Sequence, residues 1–233
     1  MPVNRKDIDS KNTLMKYLVQ GIDTGPPKRT IAVAVNVFNE PIRQIEECFT
    51  RISMNLPYAT VGVFLNGVDR PEILSLAETL GFRLTVGHNY GTNAYWDLWW
   101  LRMLNFFESS NSDVCFKFDP DTMVDATPLS IPIDDYFGCI SGNREYIRGG
   151  AIGISKTVVR AIVEKELLEL TAEEIRSWLN LTTPHFAEDR ALACLLRHIG
   201  VCPVHWPECR CRWRKPIRND PLKYAIVHPR YYT

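Results

Sequence analysis

Neither sign of charge prevails in this chain: 27 Lys and Arg stand against 27 Asp and Glu over 233 residues. That balance removes the electrostatic ground for bulk nucleic-acid binding. A long hydrophobic run is also missing. The fullest apolar stretch, Trp96 to Phe107, is broken by Asp97, Arg102 and Asn105, so nothing reaches the roughly 20 apolar residues of a membrane-spanning helix. Met1 to Asn12 is polar and mixed in charge, unlike a signal peptide. A cytoplasmic protein is expected, or one whose targeting or anchor segment has been removed. Regular cysteine spacing is absent too. The seven cysteines are odd in number and irregularly placed, and a free thiol in an apolar run behaves as a small hydrophobe. This favours a reducing compartment over a disulfide framework, where the sequon Asn180-Leu181-Thr182 carries no meaning. The chain has no internal repeat, low-complexity tract or interdomain linker.

What is present is enough apolar material for one α/β domain with a sizeable core, at 45% hydrophobic and 23% charged residues. The first half alternates. Thr30 to Val37 is a nearly all-apolar strand, covered on both faces. A helix follows over Pro41 to Ser53, with Ile42, Ile45, Phe49 and Ile52 at helical spacing. Thr60 to Leu65 is a strand turned by Asn66-Gly67, Pro71 to Leu80 a helix stopped by Gly81, and Phe82 to Val86 a third strand. Gly91 to Ser109 contains an aromatic-rich helix, and Val114 to Phe118 is a fourth strand. Such repeats imply a mostly parallel sheet with right-handed crossovers, flanked by helices. Ligands of such sheets bind outside the carboxyl ends of the strands. Asn36 to Glu40, Asn66-Gly67, His88 to Asn93 and Asp119 to Asp121 all fall at those ends.

The second half is less regular. Tyr136 to Ser141 and Arg148 to Ser155 read as strands, and Lys156 to Leu170 as a helix. Thr171 to Leu179 is a short helix with a capping box, and Ala187 to Ile199 a further one. From Val201 the sequence shows no clear period.

The triplet Asp119-Pro120-Asp121 carries the chemistry. Alternate residues of a strand point the same way, so two carboxylates one residue apart converge at its end, and Pro120 breaks the ladder there. Mg²⁺ and Mn²⁺ take oxygen ligands and bind one or two carboxylates plus substrate phosphates. The triplet is therefore read as a metal–diphosphate site.

Taken in order, several segments resemble those of the GT-A glycosyltransferases. Val35-Asn36-Val37-Phe38-Asn39-Glu40 resembles the first-strand motif beside the base and ribose of a sugar nucleotide. Asn89-Tyr90-Gly91 resembles the Asn-x-Gly before the helix that leads to the metal motif. Asp119-Pro120-Asp121 matches the D-x-D motif in position, Gly149-Gly150-Ala151 the glycine loop beside the donor sugar, and Glu188-Asp189 the x-E-D motif at a late helix. His228 stands where many members carry a C-terminal metal-binding histidine. The resemblance covers roughly residues 30 to 230.

It implies the GT-A, Rossmann-like nucleotide-diphospho-sugar transferase fold in a single domain. The nucleotide-binding half would span about 30–121 and the acceptor-side half about 122–233. It also implies a metal-dependent hexosyltransferase moving a sugar from a nucleotide diphosphate, UDP-sugar first and GDP-sugar second, to a glycan or other hydroxyl acceptor. Mn²⁺ or Mg²⁺ would be held by Asp119, Asp121 and His228, with Asp121 a direct ligand and Asp119 a partner of the ribose or of a metal-bound water. Asn36, Phe38, Glu40, Asn66, Asn89, Gly91, Asp119, Arg148, Gly149 and Gly150 would line the donor. Asp189 would be the general base of an inverting reaction, with Glu188 on the acceptor. A retaining enzyme would not use Asp189 in this way, and a non-catalytic sugar-nucleotide or glycan-binding protein of the same fold is the other alternative. A nucleotidyltransferase is disfavoured, since Val33 to Asn39 lacks the glycines of a triphosphate loop. Lys117 is left without a role. The basic tail around Arg210, Arg212, Arg214, Lys215 and Arg218 could face the diphosphate, an acidic acceptor or an anionic membrane surface. Cys202, His205, Cys209 and Cys211 form an alternative zinc set of unusual spacing.

Overall fold

The computed structural model describes residues 29–67, 70–87, 96–142, 144–164, 177, 188–212 and 224–229. Its first half alternates strand and helix: β1 (Ile31–Val37), α1 (Ile42–Asn55), β2 (Thr60–Asn66), α2 (Pro71–Thr79), β3 (Arg83–Gly87), α3 (Trp96–Ser110) and β4 (Val114–Phe118). The second half holds β5 (Met123–Val124), β6 (Tyr136–Ile140), β7 (Ile147–Ser155), α4 (Lys156–Glu164), α5 (Glu188–His198), β8 (Val204–His205), β9 (Cys209–Arg212) and β10 (Ile226–Pro229).

Local chemistry explains the first elements. Ile45, Cys48, Phe49 and Ile52 fall at helical spacing on α1 and are buried, so one stripe faces the sheet. Pro71 begins α2, where its missing N–H costs nothing. Gly81 follows at φ 70°, in the left-handed region that glycine enters without a Cβ penalty.

Seven strands form one sheet in the order β3-β2-β1-β4-β7-β6-β8. The block β3, β2, β1 and β4 is parallel. The reversal comes at β7, antiparallel to β4 with Phe118 opposite Ala151 and Val114 opposite Ser155. The carboxyl ends of the parallel block and the amino end of β7 therefore share one rim. Alternation along β1 splits the core: Ala32 and Ala34 pack with α3, α4 and α5, while Val33, Val35 and Val37 pack with α1 and α2.

The tail after Val201, which shows no clear period in the sequence, builds strands. The pieces β8, β9 and β10 are too short to display an alternating pattern. They are fixed by Trp206, which is buried, stacks on Phe116 at 5.7 Å between ring centroids and donates its backbone N–H to the Gly138 carbonyl at 2.8 Å. A second sheet, β5-β10-β9, results. The helix expected to reach Leu170 is described to Glu164. Its remainder, the helix expected over Thr171 to Leu179 and the Asn89-Tyr90-Gly91 motif lie outside the described residues. Among the described residues, no helix is long and apolar enough to cross a membrane.

Candidate functional site

The shared rim gathers the acidic residues. Asp119 leaves the end of β4 with its N–H bonded to the Gly150 carbonyl at 3.1 Å, and its own carbonyl accepts from Thr122 N at 2.9 Å. That tight turn carries Asp121 to within reach of His228. His228 arrives on β10 from the second sheet. Its Nε2 lies 2.8 Å from Asp121 Oδ1 and 3.5 Å from Asp119 Oδ2. One ligand atom from each of the three residues falls within 4.8 Å of the others. Among the described residues, this is the one group of three or more such side chains that could hold a metal ion. Two carboxylates and one imidazole, with both aspartates part-exposed, suit Mn²⁺ or Mg²⁺, which accept oxygen donors and take phosphate as a further ligand.

Glycine is required beside this group. A Cβ on Gly150 would lie 2.0 Å from the His228 ring. The Gly150 carbonyl also accepts from the Thr122 hydroxyl, so two donors of the Asp119 turn converge on one carbonyl of β7. Gly149 N donates to Asp189 Oδ2 at 3.0 Å, while the Arg190 N–H takes Asp189 Oδ1 at 2.8 Å. Asp189 is thus a largely buried carboxylate, 7% exposed, at the start of α5 and tied to the glycine loop. The guanidinium of the next residue, Arg190, lies over the Tyr146 ring at 5.3 Å. Glu188 opens α5, and its side chain lies outside the described set.

The other strand-end residues surround this centre. Glu40 accepts from Phe38 N at 2.7 Å, and its carbonyl accepts from Arg70 at 2.8 Å. Burial, with repulsion from Asp119 and Asp121 added, raises its pKa above the usual glutamate value. Asn66 caps the end of β2: its Nδ2 reaches the Val37 and Phe64 carbonyls at 3.3 Å each, and its Oδ1 accepts from Arg102 at 3.3 Å. Asn36 is fully buried under the rim, with Nδ2 on the Met103 sulfur at 3.0 Å and Oδ1 without a partner. Phe38 packs on the α3 side and Arg148 is half-buried on β7. Asn89 and Gly91 lie outside the described residues.

Two further polar residues stand at this centre: Lys117, to which the sequence assigns no role, and Thr122. Lys117, 1% exposed, donates Nζ to Asp119 Oδ1 and to the Gly149 carbonyl, the latter at 2.7 Å. Thr122 clamps Gly150. For Lys117 the signal was present: it stands two residues before Asp119 on a strand, where i and i+2 share a face.

The zinc set is not assembled. Cys202 is exposed, whereas Cys209 and Cys211 are buried. Cys211 instead shares a thiol hydrogen bond with Cys139 of β6, which lowers the pKa of Cys139 and, with burial, raises that of Cys211.

No family profile matches the chain, and no curated protein sequence matches it. Solved structures do. The galactosyltransferase LgtC, in complex with donor and acceptor sugar analogs, aligns at 12% identity over 86% of this chain and 87% of its own, with a TM-score of 0.56. The glycosyltransferase GlyE of Streptococcus pneumoniae TIGR4 aligns at 15% identity over 75% of this chain, with a TM-score of 0.52. The fold is that of the GT-A glycosyltransferases. PcManGT, a mannosyltransferase of Pyrobaculum calidifontis, aligns at 14% identity and a TM-score of 0.49, too loosely to bear on the site. The chain spans 62% of PcManGT and 45% of GlyE.

Proposed function

We propose that this protein is a metal-dependent glycosyltransferase that moves a hexose from a nucleotide diphosphate to a hydroxyl acceptor. The observation that carries the reading is the gathering of Asp119, Asp121 and His228 at the carboxyl-end rim of a GT-A sheet. A sugar nucleotide would lie along that rim, with Phe38, Glu40, Asn89 and Gly91 on the nucleoside side, the buried Asn36 and Asn66 supporting that side from beneath, and Arg148, Gly149 and Gly150 beside the diphosphate and sugar. Mn²⁺ or Mg²⁺ bound by the Asp–Asp–His set would supply Lewis-acid stabilisation of the charge that develops on the leaving diphosphate. UDP-sugar is the first donor to test and GDP-sugar the second.

In this reading the reaction inverts. Asp189 takes the proton of the acceptor hydroxyl as its oxygen attacks the anomeric carbon, and Glu188 contacts the acceptor. A second reading has one observation in its favour. Both oxygens of Asp189 already accept backbone N–H groups, as a carboxylate at a helix start does for purely structural reasons. Asp189 would then only position the glycine loop of a retaining enzyme.

Incubation with UDP- and GDP-sugars and Mn²⁺, with release of the nucleoside diphosphate as readout, tests the reading. Release should occur with one nucleotide class and fall at least about 100-fold in Asp189→Asn if that carboxylate is the base. Unchanged release in Asp189→Asn would favour the retaining alternative, and no release with any donor would leave only binding by the fold.

A further inference from the structure

One buried ammonium joins the two sides of the site. Lys117 lies on β4 with the parity of Cys115, on the sheet face that packs against α3, α4 and α5. Its Nζ holds Asp119 Oδ1, and the other oxygen of the same carboxylate is the one facing His228. The same Nζ holds the Gly149 carbonyl, and the Gly149 N–H holds Asp189. A continuous polar path therefore runs from Asp121 through His228, Asp119, Lys117 and Gly149 to Asp189. A lysine is almost never this deeply buried without a specific partner, and a strand position facing the core would be filled more cheaply by an apolar residue.

We infer that Lys117 is a positioning residue that leaves Asp119 one free oxygen for the cation and fixes the Gly149 segment on which Asp189 leans, so that cation binding and the orientation of Asp189 are coupled through it. The inference rests on the donor-site reading above. Two consequences have opposite signs. The ammonium repels a cation a few ångströms away and occupies an oxygen the cation would otherwise reach, so it weakens metal binding. It also orders the glycine loop, so it supports turnover. A lysine retained for folding alone would, when removed, loosen both together.

Lys117→Met keeps the length of the side chain and removes the charge and the hydrogen bonds to Asp119 and Gly149. Mn²⁺ affinity of the donor-free protein is read from the electron paramagnetic resonance of free Mn²⁺, and kcat and KM from nucleoside diphosphate release. The expected result is Mn²⁺ binding at least about tenfold tighter with kcat at least about tenfold lower and near-ultraviolet circular dichroism unchanged. Unchanged or weaker Mn²⁺ binding by a folded variant overturns the inference. Where the variant does not fold, wild-type protein labelled with ¹⁵N carries the test under Mg²⁺ titration. The Gly149 amide resonance should move along the same saturation curve as that of Asp121, and a Gly149 amide that stays in place at saturating Mg²⁺ overturns the coupling while leaving the metal site intact. Failure to bind either Mn²⁺ or Mg²⁺ removes the donor-site reading and this inference with it.

Discussion

At Gly150 the backbone of β7 passes so close to the His228 imidazole that a methyl group has no place. Gly150→Ala should therefore displace the ring and weaken Mn²⁺ binding at least about tenfold, which isothermal titration of the folded variant would show. Wild-type affinity in Gly150→Ala would mean that His228 is not a ligand. Glu40 gives a prediction in pH. Its pKa is raised, first by burial and then by Asp119 and Asp121, so the folded protein holds the proton more tightly than the unfolded chain. The stability this contributes is present below the ordinary glutamate value and is lost as the pH rises through the raised one. Glu40→Gln keeps an acceptor for Phe38 N and removes the charge. At pH 7 without metal its melting temperature should exceed that of wild type, and at pH 4 the difference should shrink. A lower melting temperature at pH 7 would show that the ionised carboxylate is stabilising.

At the scale of elements, the site depends on the second sheet. Strand β10 carries His228 and is held between β5 and β9, and Trp206 packs between Phe116 of β4 and Phe137 of β6 beside it. Trp206→Ala should cost about 3–5 kcal/mol of stability, measurable by urea unfolding. A loss below about 1 kcal/mol would show that the small sheet is held by other contacts. The elements legible in the sequence are those with a strong period. The strands and helices described from Thr30 to Phe118 fall within a few residues of their expected bounds, because β1, β2, β4 and α1 bury apolar residues at a regular spacing and Pro71 and Gly81 mark the limits of α2 ahead of the edge strand β3. The strands β5, β8, β9 and β10, of two or four residues each, were not legible, because so few residues barely display a period of two and their order comes from distant partners. The acidic triplet and its strand-end setting could be read directly. Its meeting with His228, more than 100 residues later in the chain, came from an ordered resemblance and not from any local pattern. Lys117 shares a strand face with Asp119, which the spacing shows, but its second partner, the Gly149 carbonyl, lies 32 residues later on another strand, which no local pattern reveals.

At the scale of the whole molecule, the Asp–Asp–His group bridges two sheets. Asp119 and Asp121 follow a strand of the large sheet, while His228 belongs to the small one. A cation bound there would join them and stabilise the folded state by mass action, by about 3 kcal/mol at a metal concentration roughly 100 times Kd. The melting temperature should rise with Mn²⁺ in wild type and stay flat in His228→Ala. A rise of equal size in that variant would place the cation elsewhere. The central claim, that the rim is a metal-dependent sugar-nucleotide site, is tested most directly by calorimetric titration of UDP, GDP and their sugar conjugates with and without Mn²⁺, on wild type and Asp121→Ala. The account predicts binding of one nucleotide class that requires Mn²⁺ and weakens at least about 100-fold in Asp121→Ala. A folded protein that binds none of these nucleotides, or binds one equally well without metal and without the Asp121 carboxylate, would contradict it.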